Sequence, residues 1–228
     1  MAEAVKRHYS SQLRAAHARE TRRAVVRAGA ELFMTQGFGR TTIEEIAATA
    51  GVSRKTVFAS AGGKADILKL AIDWAIVGDD EPVALIRRPI IQEALKQADP
   101  DLIIRTWASV VCQISKRVAG LAWALLSAAG TDAQAQQLLE AGHTQRLAGA
   151  RSFVRHLAKN GGLRSGLSVS DAIDIVWVHN DPILFYRLVQ QRGWSAKRYE
   201  NWLYRTIRLQ LGTEESGRRP GQPRRGPG

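Results

Sequence analysis

Long stretches of this 228-residue chain contain no proline, and this feature most constrains its fold. No proline precedes Pro82, and none lies between Pro100 and Pro182. Because a proline inside a helix removes a backbone donor and clashes with the preceding turn, its absence permits long helices. Apolar or small residues recur at helical spacing, for example at Val25, Ala28, Gly29, Leu32 and Phe33. The sequence has no convincing alternating strand pattern, so we predict an all-α protein.

Capping signals predict where several helices begin and end. The first helix is expected to stop near Gly37, and others to begin at Lys64, at Asp99-Pro100, at Thr131 or Asp132, at Ser170 and at Ser195. The Asp181-Pro182 pair interrupts a helical pattern. We expect one helix to end there and another to begin, with Asp181 as the cap and Pro182 in the first turn.

The net charge of +12 is unevenly distributed along the chain. Residues 1–64 hold 11 Lys and Arg against 5 Asp and Glu, whereas residues 65–212 hold 18 against 14. A basic surplus concentrated in the first quarter favours nucleic acid as a partner. On charge alone, the alternative is the solvated surface of an arginine-rich protein.

Composition and spacing argue against several classes of function. The single cysteine, Cys112, rules out an intrachain disulfide framework and fits a reducing cytoplasm. The longest stretch without charge, Val118 to Thr131, is too short to span a bilayer, and no signal-peptide pattern opens the chain. His143, His179 and Asp181 lack the spacing of a metal or catalytic site. We therefore expect a cytoplasmic protein that is not an enzyme and has no membrane partner, metal or cofactor.

The segment from Thr42 to Ser60 carries the strongest functional signal. Thr42 followed by Glu45 is a capping box, which predicts a helix start. Gly51 suits the left-handed turn that ends this helix, and Ser53 then caps a second one. Two short helices joined by a glycine-containing turn predict a helix-turn-helix.

The outer face of the second helix of this motif predicts DNA recognition. In such units the second helix enters the major groove with its N-terminal residues first. Arg54 can read guanine with two hydrogen bonds, while Lys55 and Thr56 can reach base edges or phosphate. The helix end that Ser53 caps also offers backbone N–H groups to phosphate.

The chain resembles the N-terminal domain of TetR-family transcriptional regulators over residues 22–72, which read RRAVVRAGAELFMTQGFGRTTIEEIAATAGVSRKTVFASAGGKADILKLAI. The shared features are a Gly-Phe turn after the first helix, a Thr-capped second helix, a Gly-Val-Ser turn and a lysine opening the fourth helix. The resemblance implies phosphate contacts by Thr42 and Lys64 and recognition contacts by Arg54, Lys55 and Thr56.

The sequence departs from the family pattern just after the recognition residues. Phe58 stands where the family commonly has a tyrosine whose hydroxyl contacts phosphate, which leaves Phe58 as a packing or sugar contact. Ser60-Ala61 replaces the usual His-Phe, and a double glycine precedes Lys64.

Composition and the resemblance together predict four parts of the chain. Residues 1–18 form a basic arm, either flexible or a frayed helix, and residues 19–65 form the DNA-binding domain. Residues 66–212 form a helical ligand-binding and dimerisation domain, and residues 213–228 a disordered Arg, Gly and Pro tail. The sequence of the last two predicted helices is similar to that of the helices that pair across the dimer in this family.

The resemblance also implies a small-molecule ligand in the larger domain, which shifts the two DNA-binding heads of the dimer. Large aromatic side chains on the central helices are candidates for its lining, although such residues are more often ordinary core. His179 and Asn180 are candidates for the few polar groups that orient an apolar ligand. The predicted ligand-binding residues are Trp107, Trp123, Phe153, Trp177, His179, Asn180 and Tyr186.

The sequence thus predicts a homodimeric repressor that a small molecule releases from a palindromic double-stranded DNA operator. One alternative is a nonspecific, nucleoid-like DNA binder that uses the basic arm and tail. Another is an enzyme with an active site in a helical bundle, for which only the neighbourhood of His179 and Asp181 offers candidate groups.

Overall fold

A computed structural model describes residues 2–213 of the chain, with side chains described from residue 13 onward. Its helices are α1 (Ala2–Gln36), α2 (Ile43–Ala50), α3 (Arg54–Ala61), α4 (Lys64–Val77), α5 (Pro89–Lys96), α6 (Pro100–Ala129), α7 (Ala133–Lys159), α8 (Val169–His179), α9 (Pro182–Phe185) and α10 (Ala196–Leu211). A 3-10 turn precedes α5 and a π-helical turn follows α9. The described range contains no strand, so the all-α prediction is confirmed.

Most of the predicted helix boundaries are confirmed because short-range hydrogen bonds set them. The Asp132 side chain accepts the N–H of Ala135 at 2.9 Å at the start of α7. Ser195 caps α10 in the same way. Asp181 accepts the N–H of Ile183 at 2.9 Å, and Pro182 is the first residue of α9, so the predicted restart is present.

Two features of the helix map differ from the sequence prediction. The prediction that Ser170 caps α8 is wrong, because the cap is Ser168. The Ser168 hydroxyl accepts the N–H of Asp171 at 3.0 Å and also bonds the Asp171 carboxylate at 2.7 Å, which moves the start two residues upstream. The short helix α5 was not predicted. It begins with Pro89 as its first residue.

The first helix is longer than the DNA-binding domain requires. α1 runs from Ala2 for 35 residues, about 50 Å at 1.5 Å per residue. Of the two forms expected for residues 1–18, the structure therefore has the helix from Ala2 onward. Beyond Thr213, the predicted tail lies outside the described residues.

A first hydrophobic core is formed by the four helices α1, α2, α3 and α4 together with the second half of α6 and the start of α7. Its fully buried large side chains include Val25, Phe33, Ile46, Val57, Ile67 and Leu68. Gly29 lets α1 and α4 approach closely, because a Cβ atom there would lie 2.5 Å from Cγ2 of Ile67. The helix-turn-helix therefore shares its core with the larger domain.

A second core lies among α6, α7, α8, α9 and α10. Its fully buried members include Ile104, Leu157, Val176, Tyr199, Leu203, Ile207 and Leu211. α6 contributes to both cores and is the spine of the fold. By length and composition α6 is also the one described helix that could cross a membrane, but 44% of its most apolar window is buried inside the protein.

Candidate nucleic-acid interface

The predicted capping box fixes the N-terminus of α2. The N–H of Glu45 donates to Oγ1 of Thr42 at 3.2 Å, and the N–H of Thr42 donates to Oε2 of Glu45 at 2.8 Å. The same carboxylate also accepts the Thr42 hydroxyl and the Gln36 amide. These bonds, chiefly the one from the Thr42 backbone, lower the pKa of Glu45. The bonds hold Thr42 at an exposed helix end, where the backbone N–H groups and the helix dipole favour phosphate.

The turn between α2 and α3 depends on Gly51. Its φ of 68° is left-handed, a conformation that costs glycine nothing. The N–H groups of Gly51 and Val52 bond the carbonyls of Ala48 and Ala47 at 3.2 and 3.0 Å. This closes α2 and sends the chain directly into the Ser53 cap.

The second helix of the motif, α3, presents the predicted recognition residues. Oγ of Ser53 accepts the N–H of Thr56 at 3.1 Å and lies 2.8 Å from the Thr56 hydroxyl. Val57 is fully buried, and this anchors the helix on the core. Arg54 and Lys55 are exposed beside it, whereas Thr56 is half-buried with its hydroxyl against the cap.

An ion pair that sequence reasoning missed holds Arg54. Nη1 of Arg54 lies 2.9 Å from Oε1 of Glu44 on α2, and the two side chains are 63% and 56% exposed. The only sequence signal for it is an acidic residue in the first turn of α2. Lys55 has no ionic partner within residues 13–213.

Phe58 and Lys64 complete the predicted set. Phe58 is 51% exposed, so its ring is available for contact with a sugar or a base. Lys64 is the first residue of α4, and its ammonium lies 4.3 Å from the centroid of the Phe38 ring. Thr42, Ser53 and Lys64 therefore stand at the N-termini of three consecutive helices that pack on one core.

A second group of charges connects α1 to the segment that follows α4. Nε of Arg19 lies 2.7 Å and Nη2 of Arg23 2.5 Å from the Asp80 carboxylate, and Arg19 also reaches Glu81 at 2.6 Å. Hydrogen bonds from Arg19 and then Arg23 hold the pKa of Asp80 far below its usual range. Part of the basic surplus of the N-terminal quarter is thus neutralised locally.

The predicted ligand-binding aromatics form packing pairs. The rings of Trp107 and Phe153 are stacked with centroids 4.9 Å apart, and those of Trp123 and Tyr186 are stacked at 4.6 Å. Nε1 of Trp177 donates to the carbonyl of His143 at 3.3 Å. Four of the predicted residues therefore form two stacked pairs.

The two polar candidates are also engaged within the fold. Nδ1 of His179 lies 2.7 Å from the carbonyl of Ile175 in its own helix. Asn180 bonds Arg146, whose Nη2 is 3.2 Å from the carboxylate of Asp181. Burial lowers the pKa of Arg146, an internal cation that the sequence analysis did not single out.

Two cavities stand out elsewhere, and none of the predicted ligand-binding residues lines either. An open groove of about 1010 Å³ lies between α1, α3, α4 and residues 80–84. Its rim carries both signs of charge, from Arg19, Arg22, Asp80 and Glu81 among others. A smaller cavity of about 320 Å³ lies between the end of α4, the 3-10 turn, α5 and α6.

This architecture, an N-terminal helix-turn-helix on a larger helical domain, defines a helix-turn-helix protein of the all-α class. Residues 25–71 match the family model described as bacterial regulatory proteins of the tetR family. The N-terminal domain of this chain is therefore similar to that of the tetR family. A 58-residue stretch is 38% identical to TtgW of Pseudomonas putida, named as an uncharacterised HTH-type transcriptional regulator. That match covers 25% of this chain and 43% of TtgW, so it spans less than half of that relative.

Solved structures share the fold over most of the chain. SmeT, solved in complex with triclosan, has a TM-score of 0.66 at 18% identity, covering 91% of this chain and 99% of SmeT. The regulator FadR from Bacillus subtilis, solved in complex with stearoyl-CoA, has a TM-score of 0.63 at 16% identity. That match covers 81% of this chain and 96% of FadR. At these identities the likeness shows the fold alone.

Proposed function

We propose that this protein is a sequence-specific DNA-binding transcriptional regulator, a homodimeric repressor that a small molecule releases from its operator. The observation that carries the proposal is α3, which begins at the Ser53 cap and exposes Arg54 and Lys55. An exposed, basic N-terminal turn on the second helix of such a motif has the geometry required to enter the major groove.

Different residues at the helix N-termini contact the phosphates and the bases. Thr42 and Lys64 contact phosphates on either side of the groove and so set the position of the domain. Arg54 and Lys55 read base edges, and Ser53 and Thr56 bind the backbone or an adjacent base. Phe58 contacts a sugar through its exposed ring.

A homodimer through α8 and α10 supplies two such heads. Leu209 on α10 is 82% exposed and Val178 on α8 is 52% exposed, which supports a partner surface on these helices. Two-fold pairing of the heads requires an operator with roughly palindromic half-sites.

A small-molecule effector acts by binding the larger domain differently in DNA-competent and incompetent dimers. Two proteins of similar fold were solved with triclosan and with stearoyl-CoA, which supports a small-molecule ligand for this protein. In this role the protein acts in the cytoplasm and catalyses no reaction.

Selection of duplexes from a random pool, followed by gel-shift titration, tests the proposal. Against the selected operator, Arg54→Ala and Lys55→Ala lose about 10- to 100-fold in affinity, and both lower the preference over scrambled DNA. Lys64→Ala weakens binding to both duplexes by a similar factor, and Lys69→Ala, which removes an exposed lysine paired with Asp73, changes neither. Failure to enrich any sequence, or equal losses for Arg54, Lys55 and Lys64 on both duplexes, contradicts sequence-specific reading.

A further inference from the structure

The 320 Å³ cavity between α4, α5 and α6 has an apolar wall with only positive ionisable groups. Val77, Ile90, Val110 and Ile114 supply aliphatic surface. The two ionisable residues in its lining are Arg88 and Arg117, and no carboxylate lines it. The cavity therefore suits a ligand that is mostly apolar and carries negative charge.

The charge of Arg88 is already balanced. Its Nη1 and Nη2 bond the two carboxylate oxygens of Asp79 at 2.9 and 2.7 Å. Nε and Nη2 also reach the carbonyls of Val83 and Glu81. Arg88 thus closes one wall of the cavity and has little free capacity for a ligand.

The charge of Arg117 is not balanced by an acid in the described part of the chain. Its Nε donates to the carbonyl of Ala75 at 2.7 Å, and its Nη2 donates to the carbonyl of Ile76 at 2.9 Å. Both acceptors are neutral groups in the last turn of α4. A guanidinium has five N–H donors, so donors remain after these two bonds.

We propose that this cavity is a binding site for a small apolar carboxylic acid, whose carboxylate pairs with Arg117. The hydrocarbon part lies against Val77, Val110 and Ile114. At about 30 Å³ for each water-sized group, the 320 Å³ volume holds on the order of ten non-hydrogen atoms. A medium-chain fatty acid or a substituted benzoic acid fits this size.

The site also gives such a ligand a route to the DNA-binding helices. Arg117 bonds the C-terminal end of α4, and Lys64 at the other end of α4 is a proposed phosphate contact. A carboxylate that binds Arg117 alters the contact between α6 and α4, and operator affinity changes through linkage. This regulatory step rests on the proposed function, whereas binding of the acid does not.

Calorimetric titration of the full chain with three matched probes tests the site. Octanoate, 1-octanol and octylamine share one hydrocarbon chain and differ in the charge of the head group. We expect octanoate to bind about tenfold or more tighter than 1-octanol, and octylamine to bind more weakly than either. Equal binding of octanoate and 1-octanol by the unaltered protein overturns the proposal.

Variants locate the site. Arg117→Gln abolishes the preference for octanoate, whereas Lys116→Gln, which removes a neighbouring exposed charge on α6, keeps it. Ile114→Trp fills the cavity and weakens both octanoate and 1-octanol, and circular dichroism checks that each variant is folded. A preference that survives Arg117→Gln or is untouched by Ile114→Trp places the acid elsewhere and contradicts the assignment.

Titration of the DNA complex with octanoate separates the two proposals. A change in operator affinity that Arg117→Gln removes supports the regulatory step. Specific operator binding without any octanoate binding contradicts the proposed ligand site and supports the DNA-binding function. Octanoate binding without specific operator binding supports the ligand site and contradicts the DNA-binding function.

Discussion

Arg54, the first residue of the recognition helix α3, is held by Glu44 of α2 with 2.9 Å between Nη1 and Oε1. Both side chains are more than half exposed, and ion pairs of this kind contribute little to stability. Arg54 can therefore exchange Glu44 for a base or a phosphate at small cost. The same pair places a second carboxylate, besides that of Glu45, in the surface proposed to bind DNA.

Glu44→Gln is expected to raise affinity for scrambled DNA by about two- to fivefold, because the substitution removes repulsion of phosphate and frees Arg54. Affinity for the operator rises by at least as much, because Arg54 must break its pair with Glu44 to contact a base there, so the ratio of operator to scrambled affinity does not fall. Gel-shift titrations at two salt concentrations measure both affinities. Glu31→Gln, an exposed acid on α1, is the matched control, and equal gains in the two variants contradict a specific role for Glu44.

Asp80→Asn is expected to lower the melting temperature by a few degrees at pH 7, because it breaks the bridges that bind Arg19 and Arg23 to the segment after α4. The bridges depress the folded pKa of Asp80, so their stabilisation is complete above the unfolded pKa of about 4. It is lost progressively as the pH falls below that value.

Thermal melts of wild type and Asp80→Asn from pH 8 down to pH 3 check the sign. The difference in melting temperature between the two should stay constant above pH 5 and shrink below pH 4. Asp73→Asn, which breaks only an exposed pair with Lys69, should shift the melting temperature little at any pH. A difference that grows on acidification contradicts the assignment.

Gly29→Ala is expected to destabilise the protein by about 1–3 kcal/mol, because the added Cβ would lie 2.5 Å from Cγ2 of Ile67 and force α1 and α4 apart. Urea denaturation measures the free energy of unfolding. Gly149→Ala is the matched control, since Gly149 lies inside α7 with open space around its Cβ position. That change should stabilise the protein by about 0.5–1 kcal/mol.

Leu209→Asp is expected to weaken the proposed homodimer, because it places a charge on the most exposed large apolar residue of α10. Sedimentation velocity across a concentration range should show the dimer dissociating at about tenfold or more higher concentration than wild type. Leu95→Asp introduces the same charge on α5, outside α8 and α10, and should leave the dimer unchanged. Equal effects of the two variants would remove the assigned interface.

Sequence reasoning succeeded where a structural feature depends on neighbouring residues. The Thr42 capping box, the left-handed Gly51 and the Ser53 cap each involve groups within five positions of one another. Side-chain identity alone decides such contacts, so they can be predicted without knowledge of packing.

It failed where the competing choices were settled by packing or by small differences between nearby residues. Ser168 and Ser170 are both plausible caps, and the additional bond of Ser168 to the side chain of Asp171 decides between them. The sequence also did not reveal that Trp107 stacks on Phe153 and Trp123 on Tyr186, because these contacts join different helices. Helical spacing does not distinguish a ring that packs from one that lines a cavity.

The sequence by itself determined the helical class, the helix-turn-helix and its exposed basic residues, because hydrogen bonds within one or two turns and apolar periodicity set them. Only the tertiary structure decided that Glu44 holds Arg54, that Asp80 gathers Arg19 and Arg23, and that Arg117 joins α6 to α4 beside a cavity. The last two sets of partners lie more than 40 positions apart in the chain. Which of many exposed charges meet at that range depends on how whole helices pack, and local sequence does not encode that geometry.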